Sequence, residues 1–442
     1  DRKYALKVPV AVTGRIKRLS AVYILLIACA SYIVVALLGF FAELADNRLY
    51  DLFAYLPFSL MPLLLPWLLV SAGALDGLYE EPRNRKYVKR AGQVLSERKI
   101  LRIAVVGSYG KTSVKNILES ILSRRFRTVV TPESYNTPMG IARTVLGADF
   151  EGKEAFVAEM GARKEGDIAE LCALVKPDYA VFTGVCAQHI QTFGSEENVL
   201  KAKCEILKGT SKKVICGGGL KEKILPLSPE TVSLSDKEKC VYADFGELLS
   251  DLGLRADGTS FTLRLPGRNP ISVHTCLLGA HSAENIALAA LLAAELGLTD
   301  AEIADGIAGI TPVPHRLQLI ESGGIHILDD SYNANPEGAA EAVKALFRFP
   351  GRKIVVTPGL VETGVLDEEI NGRLGRQLVG LDLVILVGDT LVGAVKAGYL
   401  EGGGEEENLA VCPTLEKAKD LLSDVLEKGD AVLFLNDLPD AW

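Results

Sequence analysis

The stretch "LRIAVVGSYGKTSVKNILESILSRR", residues 101–125, decides the fold. Its first seven residues are a short apolar run of the kind that forms a buried parallel strand. Its second half is amphipathic and reads as a helix. Between the two, "GSYGKTS" (107–113) sits where strand hands over to helix. Backbone N–H groups and a helix N-terminus in that context bind phosphate oxygens. Lys111 would reach the terminal phosphates of a nucleotide and Thr112 would ligate Mg²⁺. Gly107, Ser108, Gly110, Lys111, Thr112 and Ser113 are therefore the expected ATP-binding residues. The generic pattern has a glycine where this chain has Val105, so the match is imperfect. A glycine-rich turn with a surface lysine is the structural alternative.

Working outward, "AFVAEM" (155–160), "DYAVFTGV" (178–185) and "KKVIC" (212–216) are further buried-strand runs separated by amphipathic stretches. This alternation predicts a doubly wound α/β domain over residues 100–315. Residues 240–275 read as β-rich and antiparallel, and 280–297 as a strong helix. After "TPVPHRLQ" (311–318) the alternation restarts with "IHILDD", "KIVVTPG", "DLVILVG", "AVCP" and "AVLFLND". A second, Rossmann-like α/β domain is expected over 316–442. "EGGGEEEN" (401–408) reads as an exposed turn.

Upstream, residues 21–42 and 52–75 carry no charge. Each run exceeds the roughly 20 apolar residues that span a bilayer as a helix. A second span follows the first, which a cleaved signal peptide would not show. Pro57, Pro62 and Pro66 predict a kinked, partly re-entrant second span. Buried core helices are the alternative. Arg2, Lys3, Lys7, Arg15, Lys17 and Arg18 precede the first run; Arg83, Arg85, Lys86, Lys89 and Arg90 follow the second. Both ends should thus face the cytoplasm. Residues 1–99 are expected to form a membrane hairpin anchor and linker, with the catalytic domains cytoplasmic and residues 76–100 a charged helical bridge. The chain opens on Asp1, so a few preceding residues are expected, and Trp442 suggests a trimmed end.

The formal charge of −8 argues against a nucleic-acid surface. The cysteines, Cys29, Cys172, Cys186, Cys204, Cys216, Cys240, Cys276 and Cys412, form no CxxC pair and are expected to be reduced and mostly buried.

Seven segments in this order resemble the Mur ligase family: "GSYGKTS", "YNTPMG" (135–140), "EMGARKEGDIAELC" (159–172), "HIQTFGSEENVLKAKCEIL" (189–207), "GAHSAENIALAA" (279–290), "HRLQ" (315–318) and "DDSYNANP" (329–336). The last is especially similar to the D-alanyl-D-alanine-adding members. The resemblance implies a ligase that cleaves ATP to ADP, activates a carboxylate as an acyl phosphate and passes it to an amine. It implies two Mg²⁺ sites held by Thr112, Glu159, His189 and a Lys203 carbamylated by CO₂, with Lys201 the rival lysine. Lys111, His189 and Lys203 are the catalytic set it implies. Asn285, with His281 beside it, is the implied adenine contact, Arg316 the phosphate contact and Asp330 the ribose contact. Asn136, Thr137, Tyr332, Asn333 and Asn335 are implied on the substrate side. A carboxylate at Glu159 suits a hard cation on its own chemistry. Turn formation is the bland reading of "SYNANP".

The chain also departs from the family. No domain for a UDP-linked substrate is expected before the phosphate loop; the hairpin is expected to occupy that place. "VVTPGLVETG" (355–364) and "LFLNDLPDAW" (433–442) replace the family's usual segments, which leaves the amine pocket open. The expected function is peptide ligation in peptidoglycan precursor synthesis, on a muramyl-peptide or lipid-linked acceptor, with membrane lipid and cell-wall synthesis enzymes as further partners. A ligase for poly-glutamate or folate-like chains, and a membrane-anchored nucleotide-binding scaffold, are the alternatives.

Overall fold

The computed structural model describes residues 12–44, 47–186, 193–332, 334–361 and 364–436. The chain divides into an N-terminal unit reaching Arg90 and a body starting at Ala91.

The N-terminal unit holds helix α1 (Gly14–Leu44) and most of α2 (Asn47–Ser96). The expectation of a partly re-entrant second span is corrected: α2 runs unbroken through Pro57, Pro62, Pro66 and Pro82, and absorbs the charged bridge. Each proline removes one N–H from the helical ladder. The intervening Leu, Met and Trp residues are helix-compatible, so the backbone continues. Apolar side chains of both helices face outward; Leu25, Tyr32, Leu63, Trp67 and Val70 are all more than half exposed.

In the body, the four expected parallel strands, joined by two more, form one sheet in the order β2-β3-β1-β4-β5-β6. These are β1 (Leu101–Val106), β2 (Thr128–Val130), β3 (Ala155–Glu159), β4 (Tyr179–Phe182), β5 (Lys213–Cys216) and β6 (Cys240–Tyr242). All pair in parallel. From β1 the chain first builds toward β2 and β3, then returns to β4 on the other side. The carboxyl end of β1 is therefore a topological switch point, where open α/β sheets place ligands. Helix α3 (Lys111–Leu122) follows β1 and buries Val114, Ile117, Leu118, Ile121 and Leu122. Each such side chain contributes about 1.5–3 kcal/mol of burial. The buried helix Ala280–Glu295 packs on the same core.

Residues 240–275 split between two sheets. Cys240–Tyr242 extends the large parallel sheet, while β7 (Leu249–Arg255), β8 (Gly258–Leu263) and β9 (Ile271–Thr275) form an antiparallel one. The C-terminal sheet runs β10-β11-β15-β12-β13-β14, with β10 (Gln318–Ser322) antiparallel at one edge. The others are β11 (Ile325–Asp330), β12 (Lys353–Thr357), β13 (Leu383–Val387), β14 (Leu409–Cys412) and β15 (Ala431–Leu435). β2 and β10 were not foreseen, because one is three residues long and the other is a polar, exposed edge. Cys172, Cys186, Cys204, Cys216 and Cys412 are buried, whereas Cys29 and Cys276 are exposed.

Candidate active site

A cavity of about 490 Å³ opens at the carboxyl end of β1. The phosphate loop, Ser134, Asn136, Thr137, Pro138 and the segment after β3 line it. Lys203 lines it too, and Arg316, Tyr332 and Asn335 reach it from the C-terminal domain.

The loop is built for close approach. A Cβ at Gly107 would fall 1.9 Å from Thr183 Oγ1. Gly110 has φ 72°, a left-handed conformation that favours glycine, and a Cβ there would meet Asn285 Oδ1 at 2.8 Å. Gly110 is the N-cap of α3 and supplies no side-chain cap, so the first-turn N–H groups stay available. Beside them the Ser108 hydroxyl is buried with no hydrogen-bond partner. An uncapped helix start, a glycine cradle and an orphan hydroxyl together fit a phosphate group.

Lys111 folds back on the loop, donating from Nζ to Gly107 O at 2.9 Å and Ser108 O at 3.2 Å. Burial lowers its pKa, and Glu159 opposes that shift. Glu159 ends β3 opposite Val105. Its Oε2 accepts from Thr112 Oγ1 at 2.9 Å and its Oε1 from Asn136 Nδ2 at 3.1 Å. The Glu159 backbone N–H donates to Thr131 Oγ1 at 3.0 Å. A buried carboxylate and a hydroxyl in contact, beside a phosphate cradle, fit a magnesium ion that draws its remaining ligands from phosphate and water. Among the described residues, no three His, Cys, Asp or Glu side chains group as a metal cage.

The structure separates the rival lysines. Lys201 is solvent-facing and pairs with Glu197 at 2.8 Å. Lys203 is 3% exposed and donates to Gly107 O at 3.0 Å. Burial, then the nearby Lys111, brings its pKa down from 10.5 to about 7. Its helix, Glu196–Gly209, is fixed by Glu205, which accepts from Gly166 N at 2.7 Å and Ala169 N at 2.8 Å.

Thr137 and Asn335 line the cavity, and both are helix N-caps. Thr137 Oγ1 accepts from Gly140 N at 3.2 Å, and Asn335 Oδ1 from Gly338 N at 2.8 Å. Capping alone accounts for these side chains. Arg316 lies over the Tyr332 ring, 4.3 Å from its centroid. Ser113 also lines the cavity. Asn285 and Asp330 do not line it. Asn285 packs behind Gly110. Asp330 accepts from Leu317 N at 3.0 Å, and burial raises its carboxyl to about pH 6 against the pull of Arg316. His281 is half-buried, and its Nδ1 is buried without a hydrogen-bond partner. His189 and Asn333 lie outside the described residues.

Sequence reasoning missed Lys115. It is 1% exposed, its Nζ lies 3.5 Å from Glu159 Oε2, and it donates to the Glu133 carbonyl. The available signal was its place one residue past Val114, on the inward face of α3. It also missed Arg163, Asp167 and Glu170, which line the cavity beyond Glu159.

Comparison with known proteins agrees with this geometry. Residues 105–294 match the Mur ligase middle domain and 315–436 the Mur ligase, glutamate ligase domain. The UDP-N-acetylmuramoyl-tripeptide–D-alanyl-D-alanine ligase of Bacillus subtilis is 31% identical over 345 residues, covering 75% of this chain and 72% of that one. The Escherichia coli ligase of the same name is 33% identical over 296 residues. There the chain spans just under two thirds, 64%, of the relative's length. The MurF ligase of Thermotoga maritima, solved in complex with ADP, superposes with a TM-score of 0.70 at 26% identity, covering 80% of each chain.

Proposed function

The chain belongs to the Mur ligase family, and on that premise we propose that it is an ADP-forming amide ligase of peptidoglycan precursor synthesis. Its substrates are ATP, a muramyl-peptide carboxylate and a D-alanyl-D-alanine-type amine. The observation that carries this reading is the meeting of Thr112, Glu159, Lys111, Lys203 and Arg316 around one cavity.

The roles follow from the chemistry of these groups. The α3 N-terminus, Ser108 and Lys111 bind the nucleotide phosphates. Lys111 exchanges its two loop carbonyls for phosphate oxygens when nucleotide enters. Thr112 and Glu159 would hold magnesium, and the ion would supply charge neutralisation for the phosphates. Arg316 brings a second cation from the C-terminal domain, where charge accumulates as phosphate transfers. Arg163 gives the acceptor side of the cavity a cation suited to an anionic peptide. Asn285, beside Gly110, and Asp330, beside Arg316, belong to the nucleoside end.

Lys203 is the residue that carbamylation requires. An amine attacks CO₂ only when neutral, and a pKa near 7 leaves about half of it neutral at physiological pH. The product would be an anionic oxygen ligand, and with His189 it would hold a second magnesium. The enclosure of Lys203 shields the carbamate from water.

The N-terminal helices act as a membrane hairpin. Gly14–Leu37 has a mean hydropathy of 2.4 and no buried residue in its window. Charges from both helices meet at one end: Arg15 pairs with Asp76 at 3.3 Å, and Arg18 pairs with Asp76 at 3.5 Å and with Glu80. This suits a hairpin whose two ends share one membrane face. Tethering places the ligase at the bilayer surface, where a lipid-linked acceptor would be concentrated.

The test is ADP release with product mass, in detergent, using D-alanyl-D-alanine and a UDP-linked or lipid-linked muramyl-tripeptide. Gain of the dipeptide mass on either acceptor is expected, with the lipid-linked one preferred. No product with either would reject the reaction. Flotation of the full chain with liposomes tests the hairpin; protein left at the bottom of the gradient would reject it.

A further inference from the structure

Among the described residues, Tyr332 is a side chain that reaches across the cavity between the two α/β domains of the body, and the ligase chemistry does not use it. Tyr332 follows β11 in the C-terminal domain. Its hydroxyl lies 2.7 Å from Ser134 Oγ of the central domain. Its ring supports the Arg316 guanidinium, whose carbon lies 4.3 Å from the ring centroid. Tyr332 thus has one end on each domain.

Ser134 stands two residues before Asn136 in the loop between β2 and α4 (Pro138–Gly147). Asn136 Nδ2 donates to Glu159 Oε1 at 3.1 Å, and Asn136 O accepts from Gly161 N at 2.9 Å. Lys115 binds the Glu133 carbonyl at the start of the same loop. The loop is therefore fixed to the metal carboxylate from both sides, and Ser134 is its contact with the other domain. The contacts run from Glu159 through Asn136 and Ser134 to Tyr332 and Arg316. They link the residue that holds magnesium to the cation that arrives with the C-terminal domain.

We propose that Tyr332 is a positioning residue, not a substrate contact. Its bond to Ser134 holds the C-terminal domain against the cavity and sets Arg316 over the phosphate site. The inference rests on the ligase reading above. Its consequence is specific to an acyl phosphate. When the amine attacks, the carbonyl carbon gains a C–N bond, the C–O bond to phosphate breaks, the amine loses a proton and inorganic phosphate leaves. When water attacks in its place, the free carboxylate and inorganic phosphate form, and ADP appears without amide. A cavity held shut favours the first outcome. Losing the Ser134–Tyr332 bond admits the second.

The experiment compares Tyr332→Phe, Ser134→Ala and the double variant in the full-length chain. Tyr332→Phe keeps the ring under Arg316 and removes one oxygen. Tyr332 is exposed and Ser134 is half-buried, and both changes only remove an oxygen, so the variants should fold; unchanged thermal melting checks this. ADP and amide product are measured in the same reactions. We expect each single variant to lose roughly three- to tenfold in kcat, the scale of one hydrogen bond. The double variant should lose no more than either single one, and the ratio of ADP to amide should rise above the wild-type value in all three. Additive losses would overturn the proposal, because the two residues would then act separately. A rise confined to KM for acceptor or amine, with the ratio unchanged, would make Tyr332 a substrate contact and also overturn it. Wild-type kinetics in all variants would do the same. A wild-type chain that makes no amide would reject the ligase reading itself, which separates the two failures.

Discussion

Replacing Lys203 with methionine should make the protein more stable at neutral pH while abolishing its activity. The folded-state pKa of Lys203 is brought from 10.5 to about 7, chiefly by burial. Between those values the unfolded chain keeps a proton that the folded chain has released. Stability therefore rises with pH across this window, and the cost is fully present below pH 7. At pH 7 the drop from 10.5 to about 7 corresponds to about 4 kcal/mol. Methionine is of similar length and removes this cost. It also removes the hydrogen bond to Gly107 O, worth about 1 kcal/mol. That carbonyl is not orphaned, since Lys111 also donates to it at 2.9 Å. The net expectation is a gain of about 3 kcal/mol at pH 7, seen as a rise in Tm of roughly 5–10 °C for the domain. The gain should fade as pH rises and reverse to a small loss near pH 10.5. The assay is thermal unfolding of wild type and Lys203→Met by circular dichroism at pH 7, 8.5 and 10, in buffer free of CO₂. Carbamylation would otherwise stabilise the wild-type folded state. A variant less stable than wild type at pH 7, or a difference that ignores pH, would refute the reasoning.

Other outcomes follow from the same contacts. Gly110→Ala puts a Cβ at φ 72° and 2.8 Å from Asn285 Oδ1, so ADP affinity by calorimetry should fall at least tenfold. Lys115→Met strands the Glu159 carboxylate without its buried cation, so the melt should show a loss of about 3 kcal/mol or more. Glu159→Gln should raise the magnesium concentration needed for half-maximal ADP binding, with little effect on magnesium-free ADP affinity. Lys201→Ala, which removes only a surface pair, should leave activity and Tm near wild type.

Much of the body was legible in the sequence because buried parallel strands are short, uninterrupted apolar runs. β1, β3, β4, β5, β11, β12, β13 and β15 all lie inside segments read that way. The exceptions are instructive. β10 alternates weakly because it is an edge with solvent on one side, and the antiparallel sheet takes only part of residues 240–275. The second apolar run was read as kinked and partly re-entrant because of its prolines, yet α2 continues through them. Pattern reading scores the lost N–H groups but not the helical residues between them.

At the site, the sequence by itself determined the chemical inventory: a phosphate loop after a strand, a carboxylate at the end of the neighbouring strand, and lysines on a following helix. Those follow from local rules of spacing and periodicity. Tertiary structure decided which lysine is buried, because Lys201 and Lys203 differ by two positions on one helix and only packing against the loop tells them apart. It decided that Thr137 and Asn335 cap helices, that Lys115 braces Glu159, and that Ser134 meets Tyr332 across two domains. Burial and long-range contact arise when distant segments are brought together, and a local pattern carries no record of which segments those are.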